Sequence, residues 1–107
     1  MMVDESFGLI EQGLRVTQLR ASVLAEDAAN ARSTGFVARD VAPTPELSDR
    51  GLVFAAAVRS APASGESGTI EYAMGATAEN SLRFRALADQ ERAMLREYRT
   101  VAEEERR

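Results

Sequence analysis

Hydrophobic residues recur at alternating steps of three and four between residues 4 and 31. They occupy one seam, which consists of Phe7, Ile10, Leu14, Thr17, Ala21, Leu24 and Ala28. This spacing is typical of a coiled-coil seam and predicts a helix over about residues 4–31. A second apolar stripe beside it consists of Leu9, Val16, Leu19 and Val23. The predicted helix therefore has more apolar surface than one partner helix covers.

The periodicity is lost over about residues 32–75. Pro43, Pro45 and Pro62 and the Gly/Ser cluster at residues 64–68 interrupt this stretch. Residues 52–58 and 69–72 have the composition of short strands and are candidates for a weak hairpin. A connection of this length without regular structure is uncommon inside a compact domain. The sequence therefore predicts an irregular insert that is flexible or is ordered by a partner.

A helical pattern returns over about residues 76–104. One face of this predicted helix carries Phe84, Leu87, Met94, Tyr98 and Val101, and Leu82 and Leu95 lie beside it. Two helices of about 27 residues would each span roughly 40 Å. We therefore expect an all-α fold within one domain, residues 1–107. Its two long helices pack as an antiparallel hairpin or coiled coil, and the irregular insert, with a possible small β-hairpin, joins them.

Composition limits how well one copy can cover these helices. The chain has 107 residues, of which 45% are hydrophobic but only 6% aromatic, with no Trp. Ala, Val and Leu each bury little area, so the core of one copy should be thin. Isolated helices are marginally stable in water. We therefore expect a weakly stable monomer, in which stacking of identical or related hairpins buries the second stripe.

The residue types present argue against an enzyme. The chain has no His, Cys or Lys, which excludes His or Cys catalysis and a phosphate loop that needs its Lys. The acidic run at residues 103–105 is typical of a solvated helix end rather than a cation site. We therefore predict no catalytic residue, no cofactor and no metal ligand.

Charge and hydropathy also restrict the partners. The net charge is −4 and the Arg residues alternate with acids, whereas nucleic-acid binding usually needs a clustered basic face. No apolar run approaches the roughly 20 residues of a membrane span. The acidic stretch at residues 1–5 lacks the basic region of a cleaved secretory signal. We expect no nucleic-acid partner, no membrane span and no cleaved signal.

Two motifs resemble a known family. Residues 24–40 read LAEDAANARSTGFVARD, in which a helix ends near Asn30, Thr34-Gly35-Phe36 follow, and an extended tetrad closes the stretch at Asp40. This resembles the signature of flagellar basal-body rod proteins, an Asn/Ala-rich run followed by Thr-Pro-Gly-Tyr and a Lys-Ala-Arg-Asp-like tetrad. Asp27 stands where the family usually has Asn. Residues 79–87, ENSLRFRAL, are similar to the start of the last helix in the proximal-rod subgroup.

The resemblance implies a structural subunit of the bacterial proximal rod. Such a subunit passes through the flagellar type III apparatus without signal cleavage and assembles in the periplasmic part of the basal body. Its expected partners are other rod and export-gate proteins, in an oligomeric assembly of packed helices. Combining the seam with the motifs, we predict as subunit-packing residues Ile10, Leu14, Leu24, Asn30, Gly35, Phe36, Asn80, Leu82, Phe84 and Leu87.

Plainer interpretations of three of these residues remain open. Asn30 is a common residue near a helix end, Phe36 can cover that end, and Asn80 can be a polar residue at a helix start. Two other functions also remain open, namely a soluble helical adaptor or export-chaperone-like module, and a homo-oligomeric coiled coil with no flagellar role. The adaptor predicts protected amides in isolation, whereas the rod subunit predicts ordering by partners.

Overall fold

The chain forms two long helices with a β-hairpin between them. The computed structural model describes the backbone of residues 2–48 and 51–106 and the side chains of residues 7–47 and 53–106. The elements in chain order are α1 (Met2–Asn30), β1 (Arg39–Ser48), β2 (Gly51–Ser60) and α2 (Gly65–Glu105). The predicted all-α fold class is therefore wrong, because a two-stranded antiparallel sheet is part of the fold.

The stretch expected to be irregular contains a regular strand pair. β1 and β2 pair from Arg39 opposite Ser60 to Ser48 opposite Gly51. Residues 52–58, a predicted strand, do lie in β2, but their partner is β1. Residues 69–72, the other predicted strand, lie in α2.

The two prolines that suggested an irregular insert fit β1 without breaking the sheet. The N–H groups of Arg39 and Val41 donate to side chains, Asp27 Oδ1 at 2.9 Å and Asp40 Oδ1 at 2.7 Å. Because backbone groups alternate in direction along an antiparallel strand, Pro43 and Pro45 also occupy positions that point away from β2. An edge position loses no ladder bond when proline replaces its N–H. The prolines are therefore compatible with a ten-residue strand.

The second helix begins earlier than its sequence suggests. It starts at Gly65 rather than near residue 76, and four residues of its first half are buried: Thr69, Ala73, Ala76 and Asn80. These small and polar residues recur every three or four positions, so one side of this segment lies against α1. Packing against α1 outweighs the low helix propensity of the Gly residues at positions 68 and 75.

The two helices lie antiparallel, and the hairpin packs on α1. Asn80 of α2 contacts Thr17 of α1, and a Cβ placed on Gly13 would lie 3.0 Å from Leu87 Cδ1. On the other side of α1, Val16 and Val23 form a small core with Val41 of β1. The expectation that neighbouring subunits bury the second stripe is therefore wrong for these two valines, because the hairpin of the same chain covers them.

The molecule is long and thin. Its principal dimensions are 65 × 28 × 14 Å and its radius of gyration is 17.9 Å. A compact domain of this length would have a radius of gyration of about 13 Å. The chain is therefore more extended than a compact domain of the same length.

Candidate assembly surface

The helix pair has one side covered by the hairpin and one side without cover. The α1 residues that contact the hairpin share one side of that helix: Gln12, Val16, Arg20, Val23 and Asp27. At 100° per residue, a different set points to the other side of the pair. We call this set the open face: Leu14, Ala21, Ala25 and Ala28 of α1 and Met74, Ala78, Phe84 and Leu95 of α2.

The open face is apolar and accessible. Met74, Phe84 and Leu95 are 68%, 42% and 45% exposed. A shallow cleft of about 450 Å³ runs between the helices, lined by small residues that include Ala21, Ala28 and Ala78. Small side chains along such a cleft allow another helix to approach closely. Exposed apolar patches mark interaction sites on soluble proteins.

On the opposite side, a buried polar cluster joins three elements. Arg20 of α1 donates from Nε to Asp40 Oδ1 at 2.9 Å and from Nη2 to Asp40 Oδ2 at 3.2 Å. Tyr72 of α2 donates its hydroxyl to Asp40, and Glu79 of α2 accepts from Arg20 Nη1 at 3.2 Å. The cluster connects the start of the hairpin to both helices.

The electrostatics of this cluster follow from its burial and its hydrogen bonds. Burial by itself would raise the pKa of Asp40, but hydrogen bonds from Arg20, Tyr72 and the Val41 N–H outweigh it and lower the pKa below its usual value. The hydrogen bonds to Asp40 raise the pKa of Arg20 against the opposing effect of burial. Burial and the bond to Asp40 both raise the pKa of Tyr72. The ion pair and a neutral, donating tyrosine therefore coexist at neutral pH.

Asp27 is a buried carboxylate with only one satisfied oxygen. Its side chain is fully buried, and Oδ1 accepts the Arg39 N–H. Its Oδ2 has no hydrogen-bond partner among the described residues. Burial raises the pKa of Asp27, although the bond from Arg39 opposes this. Ionisation of this buried carboxylate therefore costs stability.

Asn80 joins α2 to α1 through a hydrogen bond. Its Nδ2 donates to the Thr17 carbonyl at 2.8 Å, while Oδ1 has no partner within the described part of the chain. Asn80 lies in the wall of a cleft of about 310 Å³ beneath the hairpin, with Val41 and Pro43 of β1. The predicted packing residue Asn80 thus makes its visible contact inside its own chain.

The other predicted packing residues of the helices fall into three groups. Ile10 and Leu24 are buried within the subunit. Leu14 and Leu87 are half-buried, and Leu14 belongs to the open face. Phe84 lies on the open face, whereas Leu82, also exposed, points to the side of α2 away from α1.

The predicted residues at the end of α1 form a local turn. Asn30 is exposed and donates from Nδ2 to the Glu26 carbonyl at 2.9 Å. Its own carbonyl accepts the Ser33 N–H, and the Ser33 carbonyl accepts the N–H of the half-buried Phe36. Gly35 has a φ of 77°, which favours glycine. These residues direct the chain from α1 into β1.

Sequence reasoning missed the residues of the polar cluster. Arg20 and Asp27 lie on the same side of α1 as the apolar Val16 and Val23, and charged residues are rarely buried unless paired. The placement of Arg20 and Asp27 on this apolar side of α1 was the sequence signal that could have identified them as buried. Asp40 could not be identified as the partner of Arg20 because β1 itself was not predicted.

The described residues contain no cluster of metal-ligating side chains. Among them, no group of three or more His, Cys, Asp or Glu side chains is placed to hold a metal ion. Within the same residues, neither helix has the length and apolar character needed to cross a membrane. Comparison of the chain with protein-family models, curated proteins and solved structures gave no significant match.

Proposed function

We propose that this protein is a structural subunit of the bacterial flagellar proximal rod, which assembles by helix packing after type III export. The observation that carries the proposal is the open face. Its apolar side chains on α2 are exposed between Met74 and Leu95, and the hairpin packs on the opposite side of α1. Helices of neighbouring rod or export-gate proteins would cover this face.

The two sequence motifs support the same proposal through their positions. The residues at 30–36 form the turn between α1 and β1. Asp40, which closes the first motif, ties the hairpin to Arg20 and Tyr72. The second motif contains Asn80, which bridges α2 to α1, and Phe84 of the open face. The motif residues therefore hold the hairpin and the helix pair in place and border the surface that we assign to assembly.

The shape of the subunit also supports an assembly role. A body 65 Å long and 14 Å thick has a large surface for its volume. The second half of α2 contributes little to the core, since all its buried residues lie before residue 81 in the described chain. Helix surface of this kind gains stability when a partner binds the folded form.

A second candidate, a soluble adaptor or export-chaperone-like module, is favoured by the polar cluster. Arg20, Asp40 and Tyr72 link all three parts of one subunit through buried hydrogen bonds. Such an arrangement is what a self-sufficient monomer would use to fix its hairpin. In this case the open face would bind an exported helix in the cytoplasm.

The test is a pair of substitutions on the open face. Phe84→Asp with Leu95→Asp places two charges on that face without touching a buried residue. Thr100→Asp is the matched control, since it adds a carboxylate on the side of α2 that points away from α1. Leu24→Asp is unsuitable because Leu24 is only 1% exposed and its replacement would unfold the subunit.

The two candidate functions predict different results. For a rod subunit, the double variant keeps the helicity of the wild type but is absent from purified basal bodies and gives non-motile cells, whereas Thr100→Asp assembles normally. Wild-type protein that is absent from purified basal bodies and forms soluble complexes with exported subunits would support the adaptor. Full motility of the double variant would contradict the rod proposal.

A further inference from the structure

The two outer edges of the hairpin differ. On β1, the outward N–H groups of Arg39 and Val41 are bonded to Asp27 and Asp40, and the next two outward positions are Pro43 and Pro45. Occupied N–H groups and prolines both prevent an edge strand from pairing with another strand. The β1 edge is therefore closed over residues 39–45.

The β2 edge is open. The Phe54 N–H points away from β1, because it donates to Gln12 Oε1 of α1 at 2.7 Å. By the same alternation, the backbone N–H and C=O groups of Ala56 and Val58 also point outward. Both residues are exposed, and neither has a hydrogen bond to any described residue outside the hairpin. Two donors and two acceptors thus lie on an edge that carries no proline.

We propose that the β2 edge pairs with the β2 edge of a second copy of this chain, forming a four-stranded antiparallel sheet about a two-fold axis. The partner strand in the second copy has to be β2, because its β1 edge is closed by the same four residues. A symmetric contact of this kind also closes on itself. The contact is a dimer and does not propagate into a fibre.

The sequence of β2 selects one register. With Ala57 opposite its own symmetry mate, Ala56 of each copy lies opposite Val58 of the other, and the two pairs exchange four hydrogen bonds. Arg59, the one charged residue between Val53 and Ser60, then lies opposite Ala55 of the second copy and not opposite another charge. The pairing ends at Phe54, whose N–H is already bonded to Gln12.

The first test uses the chain's lack of cysteine, which makes any introduced thiol unique. In the expected register the two copies of Ala57 form a non-hydrogen-bonded pair, whose Cα atoms lie about 4.5 Å apart, within the range of a disulfide. Ala57→Cys should therefore form a disulfide-linked dimer on mild oxidation. Ala55→Cys is the matched control, because the two copies of residue 55 would be about 14 Å apart along the strands. Equal cross-linking of both variants, or no cross-linking of Ala57→Cys, would overturn the proposal.

The second test measures self-association by sedimentation velocity from low micromolar to millimolar concentration. It is made in a Phe84→Asp background, so that association through the open face does not contribute. Val58→Pro should abolish the dimer without breaking a β1–β2 bond. Ala57→Glu and Ala57→Lys should each weaken it about fivefold through like charges opposite each other, and an equimolar mixture should restore it.

These outcomes separate the dimer from the proposed rod function. A monomer at all concentrations, a Val58→Pro variant that still dimerises, or a mixture no tighter than its components would each contradict β2 pairing. None of these results depends on whether the open face binds rod proteins. Conversely, motility of the open-face variants would contradict the rod proposal while leaving the sheet dimer unaffected.

Discussion

Arg20 of α1 and Asp40 of β1 form a buried ion pair with nitrogen–oxygen distances of 2.9 and 3.2 Å. Their side chains are 9% and 2% exposed, while Glu79, the other carboxylate on Arg20, is 52% exposed. The Asp40 contact is therefore shielded from solvent and the Glu79 contact is not. We conclude that the Asp40 contact, which joins β1 to α1, contributes more to stability than the Glu79 contact, which joins the two helices.

Removal of Asp40 should destabilise the subunit strongly. Asp40→Asn leaves Arg20 buried without its main counter-ion, and breaking a buried pair costs about 3 kcal/mol or more. Glu79→Gln should cost less than about 1 kcal/mol, because exposed pairs contribute little. Urea unfolding followed by circular dichroism measures both values. Arg20→Met combined with Asp40→Leu should cost less than the sum of the two single changes, and strict additivity would contradict the coupling.

The two buried carboxylates should give opposite pH dependences. The pKa of Asp40 is lowered, so its contribution to stability is present above the ordinary value of 3.8 and is lost as the pH falls through its folded-state pKa. The pKa of Asp27 is raised, so stability falls as the pH rises from 3.8 through its folded-state pKa. The pH dependence of the free energy of unfolding of the wild type is therefore the sum of these two opposing contributions.

Asp27→Asn separates these effects. The variant should be more stable than the wild type at pH 7, because no charge is buried there, and the gap should close as the pH falls below 3.8. Urea midpoints over a pH series measure the gap, with Asp89→Asn as the surface control, since Asp89 is largely exposed. A stability difference between Asp27→Asn and the wild type that is the same at all pH values would contradict a raised pKa of Asp27.

Two glycines test separate features of the fold, the start of α2 and the turn that follows α1. Gly75 lies inside the helix and a Cβ there meets nothing within 4 Å, so Gly75→Ala should raise the free energy of unfolding by about 0.8 kcal/mol. Gly35 has a φ of 77°, so Gly35→Ala should lower it by about 1 kcal/mol. Chemical denaturation of Gly35→Ala tests the positive φ in the turn after α1, and that of Gly75→Ala distinguishes a helix that begins at Gly65 from one that begins near residue 76. In the latter case Gly75→Ala would give no gain.

Local patterns predicted some elements well and missed others for identifiable reasons. The seam from Phe7 to Ala28 gave a helix over 4–31, close to the observed Met2–Asn30. Pro43 and Pro45 suggested a break because sequence alone does not show that they face outward on an edge strand. The first turns of α2 were missed because Gly68 and Gly75 disfavour a helix locally, while Ala73 and Ala76 stabilise it only through contact with α1.

The sequence predicted only part of the open face. The seam spacing identified apolar residues of α1 but did not show which side the hairpin covers. Leu24 and Leu14 are both seam residues, yet one is buried and the other half-buried on the open face. Distinguishing them requires the position of α2, because Leu24 lies beside Ala73 and Thr77 of that helix.

Hydrogen exchange of the isolated chain, compared with the same chain mixed with the rod proteins that we propose as its partners, tests the need for partners most directly. We expect amides at residues 69–80 to be protected in both samples, because that segment is packed on α1. Amides at residues 84–101 should exchange rapidly in the isolated chain and slow markedly in the complex. Equal and strong protection of both segments in the isolated chain, unchanged by the rod proteins, would contradict the account.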